Sequence, residues 1–247
     1  MNNLIFKKVS FQILFLYIAI VLIGCTQKVD DKISLRKNLQ SISTINNLSE
    51  KDLYLRALIK IELLDYPGAI KDFQKIKNIS PKNHKYFFYS AMARKKYGDF
   101  RGAIKDYNQA IMFSKYNELY YFNRGNLYFR IKDYNKAKQN YDKALTMNTE
   151  GIDTLYNRSR IHYLKGKISS GIEDLNKILE LNKNSSESYH NRGSLKFIEG
   201  NLSGALKDFN LAIKHNRNNG ISYYNRSITK YKLNQKEENL WLIQAKY

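Results

Sequence analysis

The chain has 247 residues, 42 Lys+Arg against 22 Asp+Glu, a formal net charge of +20 and one cysteine. A lone cysteine excludes a disulfide framework within the chain, and the positive charge favours anionic partners such as lipid headgroups, acidic proteins or polyanionic glycans. The basic residues are spread over the whole length, without the dense run that marks a dedicated nucleic-acid site, and composition leaves open that they only solvate helix faces.

The first element is residues 1–24. Lys7 and Lys8 precede an apolar run from Val9 to Ile23, which ends in Leu22-Ile23-Gly24-Cys25. A basic stretch, a short apolar stretch and a small residue before a cut describe a secretory signal. The run is also shorter than the ~20 residues a spanning helix needs. Leu-Ile-Gly-Cys resembles the bacterial lipobox. That resemblance implies cleavage before Cys25, a diacylglycerol on its sulfur and usually a third acyl chain such as palmitate. One acyl chain binds a bilayer only marginally, whereas two or more anchor stably. The mature protein is then a lipoprotein of the bacterial cell envelope, held to a membrane through Cys25. An uncleaved signal anchor is the other reading of these residues. Thr26 stands where an Asp would resemble an inner-membrane retention signal, which favours the outer membrane or the cell surface.

Residues 25–49 read as the lipidated cysteine and a tether. Leu35, Leu39, Ile42 and Ile45 follow helical spacing, so a short helix here could cap the first repeat of the array. Ser49 with Asp52 three residues later has the form of a capping box that opens the next helix.

From Glu50 onward the chain repeats itself every 34 residues without insertion or deletion. With Glu50 as position 1, position 8 holds Ala57, Ala91, Gly125, Ser159, Gly193 and Ser227. Position 20 reads Ala69, Ala103, Ala137, Gly171 and Ala205, and position 24 reads Phe73, Tyr107, Tyr141, Leu175 and Phe209. Within residues 118–151 the apolar side chains Tyr121, Gly125 and Tyr128, then Tyr134, Ala137, Tyr141 and Ala144, form one stripe on each of two helices. Lys132-Asp133, Gly98-Asp99 and Gly200-Asn201 mark the turns between paired helices. Small residues at positions 8 and 20 allow close approach of the helices, and the ring at position 24 fills the space beside them. No such unit can bury its stripe alone, so neighbours must stack.

These columns resemble tetratricopeptide repeats (TPRs) over residues 50–247. The resemblance implies an all-α fold, a TPR solenoid of antiparallel helix pairs wound as a right-handed superhelix. The units are 50–83, 84–117, 118–151, 152–185 and 186–219, with 220–247 truncated. Of the family's prolines only Pro81 is kept, and nearby Asn and Ser residues are expected to end the other second helices.

In this family the first helices line the concave face, and the resemblance places position 6 of each unit in it. Here that position reads Asn123, Asn157, Asn191 and Asn225, each followed by an arginine. An amide carries donor and acceptor, so a ladder of them can pair with an extended peptide backbone without reading its sequence. Position 5 adds Phe122, Tyr156, His190 and Tyr224, rigid rings of the kind that anchor partners. The same rings could instead pack between adjacent first helices.

Catalysis finds no support. His84, His162, His190 and His215 include no pair at zinc spacing, and no second cysteine completes a metal site. His162 falls on a position that packs between helices. No cofactor is expected. The reading is a membrane-anchored scaffold or adaptor of envelope assembly that binds a protein or peptide of the envelope in the groove, with no role for nucleic acid. Two alternatives have their own features. Leu240, Trp241, Leu242 and Ile243 near the C-terminus could self-associate, and the net charge could serve anionic envelope polymers.

Overall fold

A computed structural model describes residues 28–45 and 47–244, with side-chain surroundings from Asp31 to Lys236. Cys25 and the apolar run before it lie outside the described residues, as do the side chains of Leu240, Trp241, Leu242 and Ile243. Among the described residues all regular structure is helical: α1 (Lys28–Ser43), α2 (Glu50–Glu62), α3 (Tyr66–Ile79), α4 (His84–Tyr97), α5 (Phe100–Phe113), α6 (Glu118–Arg130), α7 (Tyr134–Leu145), α8 (Ile152–Leu164), α9 (Ile168–Leu181), α10 (Ser186–Ile198), α11 (Leu202–His215) and α12 (Gly220–Gln244). The chain divides into two compact units, one ending at Lys115 and the other beginning at Tyr116. No described helix is long and apolar enough to cross a membrane.

Short polar residues set the helix boundaries. The capping box of α2 is present: Ser49 Oγ accepts from Asp52 N at 3.2 Å, and Asp52 Oδ2 accepts from Ser49 N at 3.0 Å. Asp65, Asp99, Asp133 and Asn201 cap the second helices of four repeats, each accepting a backbone N–H three residues on. The second helices end at Ser80, beside the retained Pro81, and at Ser114, Thr146, Asn182 and Asn216, polar residues near the absent prolines. Each of the five inter-helix turns needs a left-handed residue. Gly98, Gly166 and Gly200 supply it without strain, whereas Leu64 (φ 66) and Lys132 (φ 64) adopt it with a side chain.

In the first unit, Leu53, Ala57, Ala69, Phe73, Ile76 and Ala93 form a closed core. Helix α1 is not a free tether: Leu35 and Ile42 pack on Ile59, with Leu39, Leu55 and Leu63 around them. The apolar positions at helical spacing thus cover the exposed side of the first repeat, each large side chain contributing about 1.5–3 kcal/mol on full burial.

In the second unit the small-residue columns serve the rings. A Cβ on Gly125 would stand 2.7 Å from Tyr141 Cε1, and one on Gly193 would stand 3.0 Å from Phe209 Cε1. Position 8 is therefore the socket into which the ring at position 24 of the same repeat fits. Tyr141 and Phe209 are buried there. The last repeat has no second helix among the described residues: α12 runs unbroken through the turn position, where Asn234-Gln235 replaces the Gly-Asp type of sequence.

Candidate functional site

The Asn-Arg pairs at positions 6 and 7 split into two jobs. The arginines point into the repeat. Arg192 donates through Nε and Nη2 to Asp208 at 2.8 and 2.6 Å, and Arg56, which follows Leu55 rather than an asparagine, grips Asp72 in the same way at 2.9 and 2.6 Å. Arg158 holds Asp174 likewise, with Nε to Oδ2 at 3.0 Å. The aspartates at position 23 are buried, so these are paired charges in a low dielectric rather than surface bridges. Position 11 adds a second cation in two of these repeats: Lys60 to Asp72 and Lys196 to Asp208, both at 2.8 Å.

The third arginine nitrogen reaches the repeat before. Arg158 Nη1 donates to Asp142 at 2.9 Å and Arg192 Nη1 to Asn176 at 2.7 Å, both partners being at position 25. One guanidinium therefore ties two second helices and one first helix together. Sequence reading missed this network because its partners lie 16 residues apart, across a turn. The signal was a column of acids opposite a column of arginines at constant offset. The second repeat solves the problem differently: Ser90 replaces the arginine, and Arg94 and Lys77 both contact Asp106, at 3.0 and 2.8 Å. Burial pushes the Lys77 ammonium below its usual pKa, against the pull of Asp106.

The asparagines take the other side of the same helices. Asn123 Nδ2 donates to Leu119 O at 2.8 Å. Asn157 Nδ2 donates at 3.1 Å to Asn126 Oδ1 on the preceding first helix, an oxygen that also accepts from the Tyr141 hydroxyl at 2.7 Å. Asn191 Nδ2 donates to the Tyr156 hydroxyl at 3.4 Å, again one repeat back. Each amide is half-buried and uses one N–H internally. The second N–H and the Oδ1 make no hydrogen bond among the described residues, so each amide is oriented and still offers a donor and an acceptor. Asn225 is half-buried as well.

The rings beside the ladder are unequal. Phe122 is packed, its centroid 6.2 Å from that of Tyr141. Tyr156 is half-buried, and burial first, then Glu187, raises its phenol above the usual pKa. His190 Nδ1 sits 2.9 Å from Ser222 Oγ, and burial pushes its imidazole down, with Glu187 opposing. Tyr224 is 66% exposed. At position 12 the Arg160 guanidinium lies 4.7 Å from the Phe129 centroid and Lys232 Nζ 4.8 Å from Phe197, while Tyr163 and Tyr231 are exposed. The first helices of the second unit thus present oriented amides, exposed rings and stacked cations on one face. Among the described residues no three His, Cys, Asp or Glu side chains gather as metal ligands would.

Comparison with known proteins fits this arrangement. The tetratricopeptide-repeat family model matches residues 119–149 and, in a second form, residues 152–185. A tetratricopeptide repeat protein from Parabacteroides merdae superposes with a TM-score of 0.67 at 20% identity, over 79% of this chain and 78% of that one. YrrB does so with 0.65 at 11% identity, over 78% and 97%, and MamA from Desulfovibrio magneticus with 0.64 at 12% identity, over 69% and 96%. At such identities the likeness is one of fold. No curated protein matches the chain in sequence.

Proposed function

The chain is a tetratricopeptide-repeat protein, and from that premise we propose that it is a scaffold or adaptor binding an extended peptide on the first-helix face of its second unit. The observation that carries this reading is the asparagine column. Asn123, Asn157 and Asn191 are each fixed by one internal hydrogen bond and keep a donor and an acceptor for a partner. Exposed Tyr163, Tyr224 and Tyr231 beside them supply apolar contact area at low entropic cost. YrrB, one of the fold neighbours, is a TPR protein with an unusual peptide-binding site, which agrees with this use of the architecture.

The anchoring half of the proposal comes from the N-terminal residues. Leu-Ile-Gly-Cys25 resembles a lipobox, and a lipid on Cys25 would place the protein in a bacterial envelope. Only Thr26 and Gln27 separate Cys25 from α1, which is packed on the first repeat. Such an anchor would hold the fold close to the bilayer, a suitable arrangement for envelope assembly.

The test is a quantitative pull-down from solubilised membranes, comparing the intact protein with a variant carrying Asn→Ala at Asn123, Asn157, Asn191 and Asn225. A partner lost from the variant, with helicity and melting unchanged, supports the groove; equal recovery of every partner refutes it. Metabolic incorporation of an alkynyl fatty acid, abolished by Cys25→Ser, tests the anchor separately.

A further inference from the structure

The fourth repeat departs from its sisters at the position that fills the space between paired helices. Position 24 is Phe73, Tyr107, Tyr141 and Phe209 in the other complete repeats and Leu175 here. In the third and fifth repeats the ring reaches the glycine socket at position 8, where a Cβ would stand 2.7 Å from Tyr141 Cε1 and 3.0 Å from Phe209 Cε1. The fourth repeat has Ser159 at the socket, its Oγ turned back to Tyr156 O at 2.7 Å, and a leucine too short to fill what the ring would have filled. Leu195 from α10 leans partly into that space: a Cβ on Gly171 would meet its Cδ1 at 2.9 Å.

The remaining volume is a cavity of about 260 Å³ between α8 and α10. Buried Ser159, Leu175 and Leu195 form its floor and walls, and half-buried Ser194 and exposed Ile198 line it nearer to solvent. At position 9, where Ser194 stands, the two repeats before have the larger Asn126 and Arg160. Tyr163 (49% exposed) and Ile198 (52% exposed) show that the cavity opens to solvent on the same face as the asparagine column. Asn191 of that column and Arg160 also line it.

We propose that this cavity is a specificity pocket of the groove, taking one large apolar side chain of an extended peptide with a carboxylate next to it. The proposal rests on the groove reading and adds what the groove selects. Three features commit it to this occupant. The volume lies below the ~300–1,000 Å³ of pockets that enclose a drug-sized molecule, so it suits a side chain rather than a free ligand. The floor and walls are mainly apolar, while the polar groups stand where a peptide backbone would cross: Asn191 spends one N–H on Tyr156 and keeps the rest of its amide. Arg160 makes no ion pair among the described residues and is held by stacking over Phe129 at 4.7 Å. An exposed, oriented guanidinium beside an apolar hole is complementary to a carboxylate next to an apolar side chain.

The experiment is selection of random dodecapeptides displayed on phage against the purified full-length protein, followed by titration of the best peptide onto variants. The expected enrichment is Leu, Ile, Met or Phe adjacent to Asp or Glu. Leu175→Phe restores the ring that Phe73 and Phe209 place in this column and should weaken the best peptide about tenfold or more. Ser194→Leu puts a larger side chain into the half-buried lining on α10 and should do the same, which covers the case in which Leu175→Phe disturbs packing. Arg160→Glu should remove the acidic preference and keep the apolar one. Peptides that bind wild type, Leu175→Phe and Ser194→Leu equally well, yet lose affinity on Asn→Ala in the column, would overturn the pocket and leave the groove standing. No enrichment on the wild-type protein would overturn both.

Discussion

Arg192 and Asp208 meet through two parallel hydrogen bonds, Nε to Oδ2 at 2.8 Å and Nη2 to Oδ1 at 2.6 Å, with the carboxylate buried. Arg56–Asp72 and Arg158–Asp174 repeat the geometry, so the pair recurs in the first, fourth and fifth repeats rather than marking one site. Truncating one partner leaves a charge in the interior. Asp208→Ala should therefore cost about 3–5 kcal/mol, whereas Asp208→Leu combined with Arg192→Met and Lys196→Met, which removes both cations that the carboxylate pairs with, should recover most of the loss, because apolar side chains of similar volume carry no desolvation penalty. Urea unfolding of both variants measures this. An Asp208→Ala loss below about 1 kcal/mol, the size of an exposed bridge, would show that the pair is solvated.

Much of the architecture was legible in the sequence, and the reason is periodicity. Ala57, Gly125 and Gly193 recur in register with Phe73, Tyr141 and Phe209, and a socket and its ring can be recognised as columns before any distance is known. The capping box at Ser49 and Asp52 was readable because its partners are three residues apart. The Arg–Asp network was harder to read, since its partners are joined only by the turn and each residue taken alone looks like a solvated charge. The internal bonds of the asparagines were not legible, as they depend on side-chain orientation: the same amides that the groove reading offers to a partner also bond Leu119 O, Asn126 or the Tyr156 hydroxyl. Nor was the cavity over Leu175, which comes from a missing ring rather than from a residue present.

Two tyrosines in the same column separate the value of a hydrogen bond from that of a ring. The Tyr107 hydroxyl is buried with no hydrogen-bond partner among the described residues, and burial pushes its pKa well above the usual phenol value. Tyr141 instead donates to Asn126 Oδ1 at 2.7 Å. Tyr107→Phe should stabilise the protein by about 1 kcal/mol or more by removing an unsatisfied group, and Tyr141→Phe should destabilise it by about 1 kcal/mol. Matched denaturation curves decide the point, and changes of the same sign would contradict the assignment.

His162 makes stability pH-dependent. It is buried, its Nδ1 has no hydrogen-bond partner among the described residues, and Nε2 is 3.8 Å from Asp174 Oδ2. Burial is the largest influence and lowers its pKa from the usual 6.5; Asp174 and Asp142 pull upward, Lys138 and Arg158 downward. A folded-state pKa below the unfolded one means that the unfolded chain binds the proton first. This contribution is fully present above the unfolded pKa of about 6.5 and is lost as pH falls from there through the lowered value. Melting temperatures at pH 7.5 and 5.0 should fall further for wild type than for His162→Gln. Equal falls would show that the imidazole protonates as readily in the folded state.

The central claim is that recognition uses the first-helix face of the second unit, and crosslinking in the native membrane tests it most directly. A photoreactive phenylalanine analogue would replace exposed Tyr163 or Tyr224 on first helices, with exposed Lys207 on the second helix α11 as the control. The account predicts one discrete protein adduct from Tyr163 and Tyr224, absent at Lys207 and lost when the four asparagines of the column become alanine. An adduct formed at Lys207 alone, or one that persists from Tyr163 and Tyr224 in the alanine variant, would contradict it.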